Sequence, residues 1–152
     1  MRLKKKALFL DRDGVINKNF GYVFSTKNFI WLKHVKKAIK YAYTKKYLII
    51  VITNQSGIAR GYFKESDYQV LTQWMVNQFN KNNIDILDVF HCPHLPDSNC
   101  NCRNSTEAQY CFKNALISGI WVSTNLPMPQ YAEIGGRPTP LLGSYKTFRQ
   151  RP

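Results

Sequence analysis

Leu8-Phe9-Leu10-Asp11-Arg12-Asp13-Gly14 is a short apolar run that ends abruptly on two acids spaced two residues apart. Side chains alternate along extended backbone, so Asp11 and Asp13 are expected on one side while Arg12 points away. Paired carboxylates then stand at the carboxyl end of a strand. Such a pair can hold Mg²⁺ and divide the roles of nucleophile and general acid between its members. Gly14 permits the sharp turn after the acids and lets backbone approach a ligand.

Working outward from this stretch, Ala7 to Leu10 is predicted as a buried strand. Val35 to Lys45 is predicted as an amphipathic helix with Val35, Ala38, Ile39 and Ala42 on one face. Tyr47 to Ile52 makes a second strand. Glu65 to Asn82 repeats the helical pattern through Val70, Leu71, Trp74 and Met75, and Ile86 to Phe90 makes a third strand. The order is βαβαβ, which specifies an α/β fold with a parallel sheet. In such sheets ligands sit beyond the carboxyl ends of the strands, so Asp11, Thr53 and Cys92 are expected on one rim. Residues 95–104 read as a polar loop and Thr106 to Leu116 as a helix. From Ile120 to Pro152, a segment holding five of the seven prolines, no periodicity is evident. The domain expectation is a folded unit over 1–119 and an irregular tail over 120–152.

Two further motifs also follow strands. Thr53-Asn54-Gln55-Ser56-Gly57-Ile58-Ala59-Arg60-Gly61 offers hydroxyls, two amides, free backbone N–H groups and a guanidinium, all suited to phosphate oxygens. Cys92-Pro93-His94 and Cys100-Asn101-Cys102 present three thiols and one imidazole within eleven residues. That is a tetrahedral Zn²⁺ ligand set, and four protein ligands make a closed, structural site. Cys111, His34 and His91 have no such company and are read as packing or surface residues. Tyr41, Tyr43, Trp74 and Phe79 sit at helical spacings and are read as packed or half-buried.

The 152 residues suffice for one domain with a hydrophobic core and are too few for two comfortable ones. No apolar run approaches the ~20 residues that span a bilayer, so no membrane association is expected. The basic residues before Ala7 are followed by an apolar run that Asp11 cuts short of a secretory signal, and thiols crowded around a histidine favour metal in a reducing compartment. The expected location is therefore the cytoplasm. Twenty-two Lys and Arg against nine Asp and Glu give a net charge of +13, which attracts anions, either phosphorylated metabolites or nucleic acid. Residues such as Lys33, Lys36, Lys37 and Lys40 are dispersed through helical segments. No basic stripe with interleaved aromatics is evident, so a nucleic-acid partner is not expected.

Over residues 5–103 the three motifs, in this order and together with Gly21-Tyr22-Val23 and Arg103, resemble the haloacid dehalogenase superfamily. Within it, they resemble the D-glycero-D-manno-heptose-1,7-bisphosphate 7-phosphatase family, with histidinol-phosphate phosphatases as close kin. The resemblance implies a Rossmann-like three-layer α/β/α fold, incomplete at the carboxyl end, in a monomer acting on a small phosphorylated sugar in heptose biosynthesis for lipopolysaccharide. It implies that Asp11 is the nucleophile, that Asp13 is the general acid and then base, and that Thr53 steadies the phosphoryl group. Mg²⁺ would sit at Asp11 and Asp13, and Zn²⁺ at Cys92, His94, Cys100 and Cys102. Substrate contacts would come from Arg12, Asn19, Phe20, Gly21, Tyr22, Thr53, Asn54, Gln55, Ser56 and Arg103.

The chain also departs from that pattern. Asn104 stands where the family carries a lysine, and the later Gly-Asp segment that supplies a third acidic Mg²⁺ ligand is missing. The only acids after Arg103 are Glu107 and Glu133. A shift of reading frame shortly after Arg103 would account for both departures, because a neighbouring frame across Ile120 to Met128 can encode Met-Gly-Glu-His-Lys-Ser-Ser-Asp. The alternative readings of function are a histidinol-phosphate-type phosphatase and a catalytically impaired zinc-binding domain.

Overall fold

The structure, a computed structural model, describes residues 6–100, 102 and 120–123, the last four as backbone alone. Strand β1 (Ala7–Asp11) leads through a long loop, with a 3-10 turn at Thr26–Asn28, into helix α1 (Val35–Thr44). Strand β2 (Leu48–Asn54), helix α2 (Glu65–Asn80) and strand β3 (Ile86–Cys92) follow, and β4 (Ile120–Ser123) completes a sheet of order β3-β2-β1-β4. The first three strands are parallel and β4 runs antiparallel to β1.

Because side chains alternate, the two faces of each central strand enter different cores. Leu8, Leu10, Ile49, Val51 and Val89 pack with Ile39 of α1 and with Leu71, Met75, Val76 and Phe79 of α2. Ala7, Phe9, Ile50, Ile52 and Phe90 pack on the other face with Cys92 and Cys102. Burial on both sides explains why β1 and β2 read as uninterrupted apolar runs rather than alternating ones. α1 and α2 share one face, as two same-handed crossovers moving in one direction across a sheet require. The helix expected over Thr106 to Leu116 lies outside the described residues, as do Arg103 and Cys111.

Several expectations are adjusted. β2 and β3 each run two residues further than predicted, because Thr53 pairs with His91 and Asn54 with Cys92 across the ladder. The buried stripe of α2 runs through Tyr68, Leu71, Thr72, Met75, Val76 and Phe79, while Val70 is 67% exposed. The stripe is set one residue away from Val70 because Tyr68 and Thr72, polar by composition, turn inward. Tyr41 is 66% exposed rather than half-buried. The expected irregularity from Ile120 onward is corrected at residues 120–123, which pair with Ala7 to Leu10. Four residues carry too little periodicity to reveal a strand whose partner lies over a hundred positions away.

Candidate active site

The polypeptide leaves β1 in a tight curl. The amides of Ile16 and Asn17 both donate to the Arg12 carbonyl at 2.9 and 3.1 Å, and Gly14, at φ 91°, donates to the Asn17 carbonyl at 2.8 Å. A side chain at Gly14 would be strained in this left-handed conformation. The curl turns the Asp13 carboxylate back toward the sheet, where it becomes a hub. Arg12 Nε donates to Oδ1 at 3.2 Å and Arg12 Nη2 to Oδ2 at 2.7 Å. Asn17 Nδ2 donates to Oδ1 and Gln55 Nε2 to Oδ2, each at 2.9 Å. Gln55 Nε2 also donates to Thr53 Oγ1 at 2.9 Å, so one amide nitrogen joins the acid motif of β1 to the hydroxyl ending β2.

Asp11 closes β1 in a half-buried position. Burial first, and then the Asp13 charge beside it, push its carboxyl up to about 7. Two crowded carboxyl groups with hard oxygen donors are the arrangement that a magnesium-type cation relieves, so these residues fit such an ion.

The expected substrate contacts fall into three groups. Thr53 and Gln55 are buried within the network, whereas Asn54 is exposed and Ser56 half-buried at its edge. Asn19, Phe20, Gly21 and Tyr22 lie exposed on the loop after β1, where the Gly21 amide donates to Asn19 Oδ1 at 2.9 Å. That loop is tied at its base by Lys18 to Ile30 and Leu32 to Ile16 backbone bonds of 2.8 and 3.0 Å. Arg12, also expected to contact substrate, is 0% exposed; its Nε and Nη2 are directed to Asp13 and to the Val23 carbonyl, and its Nη1 has no partner among the described residues. Gly57 is needed at the junction of the two loops. A Cβ there would meet the Phe63 ring at 2.2 Å and the Tyr22 ring at 2.7 Å.

The Cys/His group is drawn together as well. The ligand atoms of Cys92, His94, Cys100 and Cys102 all lie within 4.8 Å of one another. Cys92 Sγ is 3.7 Å from Cys100 Sγ and 3.3 Å from Cys102 Sγ, and His94 Nδ1 is 3.1 Å from Cys102 Sγ. Burial, and then the neighbouring Cys92 and Cys100 sulfurs, push the Cys102 thiol well above its ordinary value. Sulfurs crowded in this way fit a divalent ion bound as thiolates.

Two features escaped the reading of the sequence. Asn17, three residues beyond the quoted stretch, was not assigned to the site; it is buried and donates to Asp13 Oδ1 from inside. His91 is buried, with Nε2 at 2.8 Å from Glu65 Oε1 and its ring 4.1 Å from that of Tyr68. Its in-register pairing with Thr53 was the available signal, and pairing is not visible before strands are assembled.

Comparisons with known proteins agree with this geometry. The family model described as polynucleotide kinase 3 phosphatase matches residues 6–95. The D-glycero-alpha-D-manno-heptose-1,7-bisphosphate 7-phosphatase of Campylobacter jejuni is 46% identical over 129 residues, covering 82% of this chain and 74% of that protein. The enzyme of the same name from Photorhabdus laumondii is 46% identical over 107 residues, covering 66% of this chain. The present chain spans 58% of that relative's length. The crystal structure of D,D-heptose 1.7-bisphosphate phosphatase from B. bronchiseptica, complexed with magnesium and phosphate, superposes with a TM-score of 0.61 at 31% identity. The superposition covers 72% of this chain and 62% of that one. No helix among the described residues is long and apolar enough to cross a membrane. The curled acid motif, its amide link to Thr53 and these similarities lead to one conclusion: the chain belongs to the haloacid dehalogenase-type phosphatases, in the heptose-1,7-bisphosphate 7-phosphatase family.

Proposed function

We propose that this chain hydrolyses the 7-phosphate of D-glycero-D-manno-heptose 1,7-bisphosphate in the cytoplasm, through an aspartyl-phosphate, on the route to nucleotide-activated heptose. The observation that carries the reading is the Gln55 amide bonded to both Asp13 and Thr53, because it ties the acid motif after β1 to the hydroxyl that ends β2. In the first step a carboxylate oxygen of Asp11 attacks phosphorus, the bond from phosphorus to the sugar oxygen breaks, and Asp13 gives its proton to that oxygen. In the second, Asp13 takes a proton from water as the water attacks the same phosphorus, which returns Asp11 as a carboxylate and frees phosphate. Bound Mg²⁺, held by Asp11 and Asp13, would neutralise phosphoryl charge. Asn19, Phe20, Gly21 and Tyr22 would border the sugar side, with Asn54 and Ser56 adding contacts; Arg103, the remaining contact that the resemblance implies, lies outside the described residues. Zn²⁺ held by Cys92, His94, Cys100 and Cys102 would fix the loop after β3 as a structural element. Residues 1–119, with β4 added to the sheet edge, would form the phosphatase unit.

The test is phosphate release from heptose 1,7-bisphosphate, measured with malachite green, against an Asp11→Asn control. Release by the parent chain that Asp11→Asn abolishes supports the proposal, and equal rates overturn it. Faster release from histidinol phosphate would instead assign the chain to the kindred branch.

The sequence after Arg103 favours a second reading, an impaired zinc-binding domain, because Asn104 replaces a lysine and the later Gly-Asp segment is missing. One equivalent of zinc with phosphate release no greater than that of Asp11→Asn would select it.

A further inference from the structure

We infer that Arg12 is the positioning residue for the proton donor: it grips both oxygens of Asp13 from inside the protein and ties that acid to the substrate-side loop. The inference rests on the reading of Asp13 as general acid. Adjacent residues of a strand point to opposite sides, so a bidentate contact between Arg12 and Asp13 is foreign to regular extended backbone. It arises here because the curl after Asp11 folds Asp13 back over its neighbour. Nε and Nη2 then meet Oδ1 and Oδ2 at 3.2 and 2.7 Å, the planar two-point grip that a guanidinium provides and an ammonium does not. The second hydrogen of Nη2 serves the Val23 carbonyl at 2.7 Å, which couples the carboxylate to the loop bearing Asn19 to Tyr22.

The surroundings of Arg12 indicate that geometry, rather than stability or ligand contact, is what it supplies. The side chain is 0% exposed, and its guanidinium lies 5.9 Å from the ring centre of Tyr68, itself fully buried against His91. A buried ion pair adds little net stability over apolar packing of equal volume, and Nη1, the guanidinium nitrogen without a partner among the described residues, is sealed from solvent. Orientation remains. Asn17 Nδ2 on Oδ1 and Gln55 Nε2 on Oδ2 complete the grip, so the Asp13 carboxyl is held at both oxygens.

A proton donor matters for a leaving group that cannot depart as an anion. The heptose oxygen needs the proton, whereas p-nitrophenolate leaves without it. In the full chain, Arg12→Lys is therefore expected to lower the single-turnover rate of leaving-group release from heptose 1,7-bisphosphate by about thirtyfold, a fraction of what general acid catalysis supplies, and that from p-nitrophenyl phosphate by about threefold or less; single turnover isolates the first step from the second, in which Asp13 is the base for either substrate. KM should hold for both, because Arg12 does not meet substrate. The ratio of the two rates within one preparation is insensitive to the fraction folded, and Arg12→Gln is read in the same way if the lysine variant does not accumulate.

Asp13→Asn supplies the control. A selective loss in Asp13→Asn together with an equal loss on both substrates in Arg12→Lys overturns the inference alone. An equal loss in Asp13→Asn overturns the proton-donor reading and the inference with it. A raised KM with kcat unchanged overturns it in favour of a substrate contact. Crystal structures of the parent and Arg12→Lys chains test the same point without turnover. A rotated Asp13 carboxylate, detached from Asn17 or Gln55, supports the inference, and an unmoved one overturns it.

Discussion

At the scale of single residues, the site depends on amides as much as on acids. Gln55 is 3% exposed, and its one nitrogen serves Asp13 Oδ2 and Thr53 Oγ1, so truncating it strips a donor from two groups at once. An unmade buried hydrogen bond costs about 1–3 kcal/mol, and here that cost falls on the orientation of the Asp13 carboxylate and of the Thr53 hydroxyl. Gln55→Ala is accordingly expected to lower kcat/KM for phosphate release roughly tenfold or more while urea unfolding shows a native-like cooperative transition. A parent-like rate would mean that the amide does not organise the site. Much of this grouping was legible in the chain, since Asp13, Thr53 and the four metal-type ligands, which the structure brings together in two clusters, are residues whose character shows in their type and spacing. Arg12 was not, because alternation along β1 announces that it faces away from Asp11 but does not announce the curl that brings Asp13 back to it.

At the scale of elements, the helix starts and strand ends carry the polar work. α2 begins on Lys64, whose amide donates to Asp67 Oδ2 at 2.8 Å, and Glu65 and Asp67 place negative charge at the positive end of the helix. Glu65 also reaches β3, at 2.8 Å from His91 Nε2, which docks the first turn of α2 onto the strand leading to Cys92. His91 beside it holds the Glu65 carboxyl below its ordinary value of 4.5. A depressed carboxyl stabilises the fold above that value and loses its contribution as pH falls through the lower, folded-state value. Glu65→Gln should therefore unfold at lower urea than the parent at neutral pH, with the two converging below 4.5. The side chain is 36% exposed, so the neutral-pH difference should stay within about 1 kcal/mol. A difference that persists in acid would remove the carboxylate from the explanation. The elements themselves were readable wherever a run was long: α1, α2 and the three parallel strands all emerged at their places. The last residues of β2 and β3 were hidden because Thr53, Asn54, His91 and Cys92 belong to strands only through the ladder that pairs them.

For the whole molecule, the decisive asymmetry is between the two faces of the sheet. One is covered by α1 and α2, with Ile39, Leu71, Met75 and Phe79 filling the space beneath them. The other gathers Ala7, Phe9, Ile50, Ile52 and Phe90 with Cys92 and Cys102, and Cys100 packs against the same group. The Cys/His centre is thus part of the second core and not an appendage on a loop, so the zinc proposed for it would stabilise the sheet as a whole. Stripping that ion leaves three crowded thiols, two of them buried, without the partner that offsets their desolvation. The expectation is one equivalent of zinc by elemental analysis and a Tm lowered by about 10 °C on chelation, the shift that roughly 3 kcal/mol produces in a domain of this size. Cys100→Ser, which removes the half-buried ligand and spares the two buried in the core, should reproduce most of that loss and blunt the response to chelator. Melting of the verified metal-free chain at the parent temperature would detach the Cys/His centre from the stability of the sheet and reduce it to a local fastening of residues 92–102.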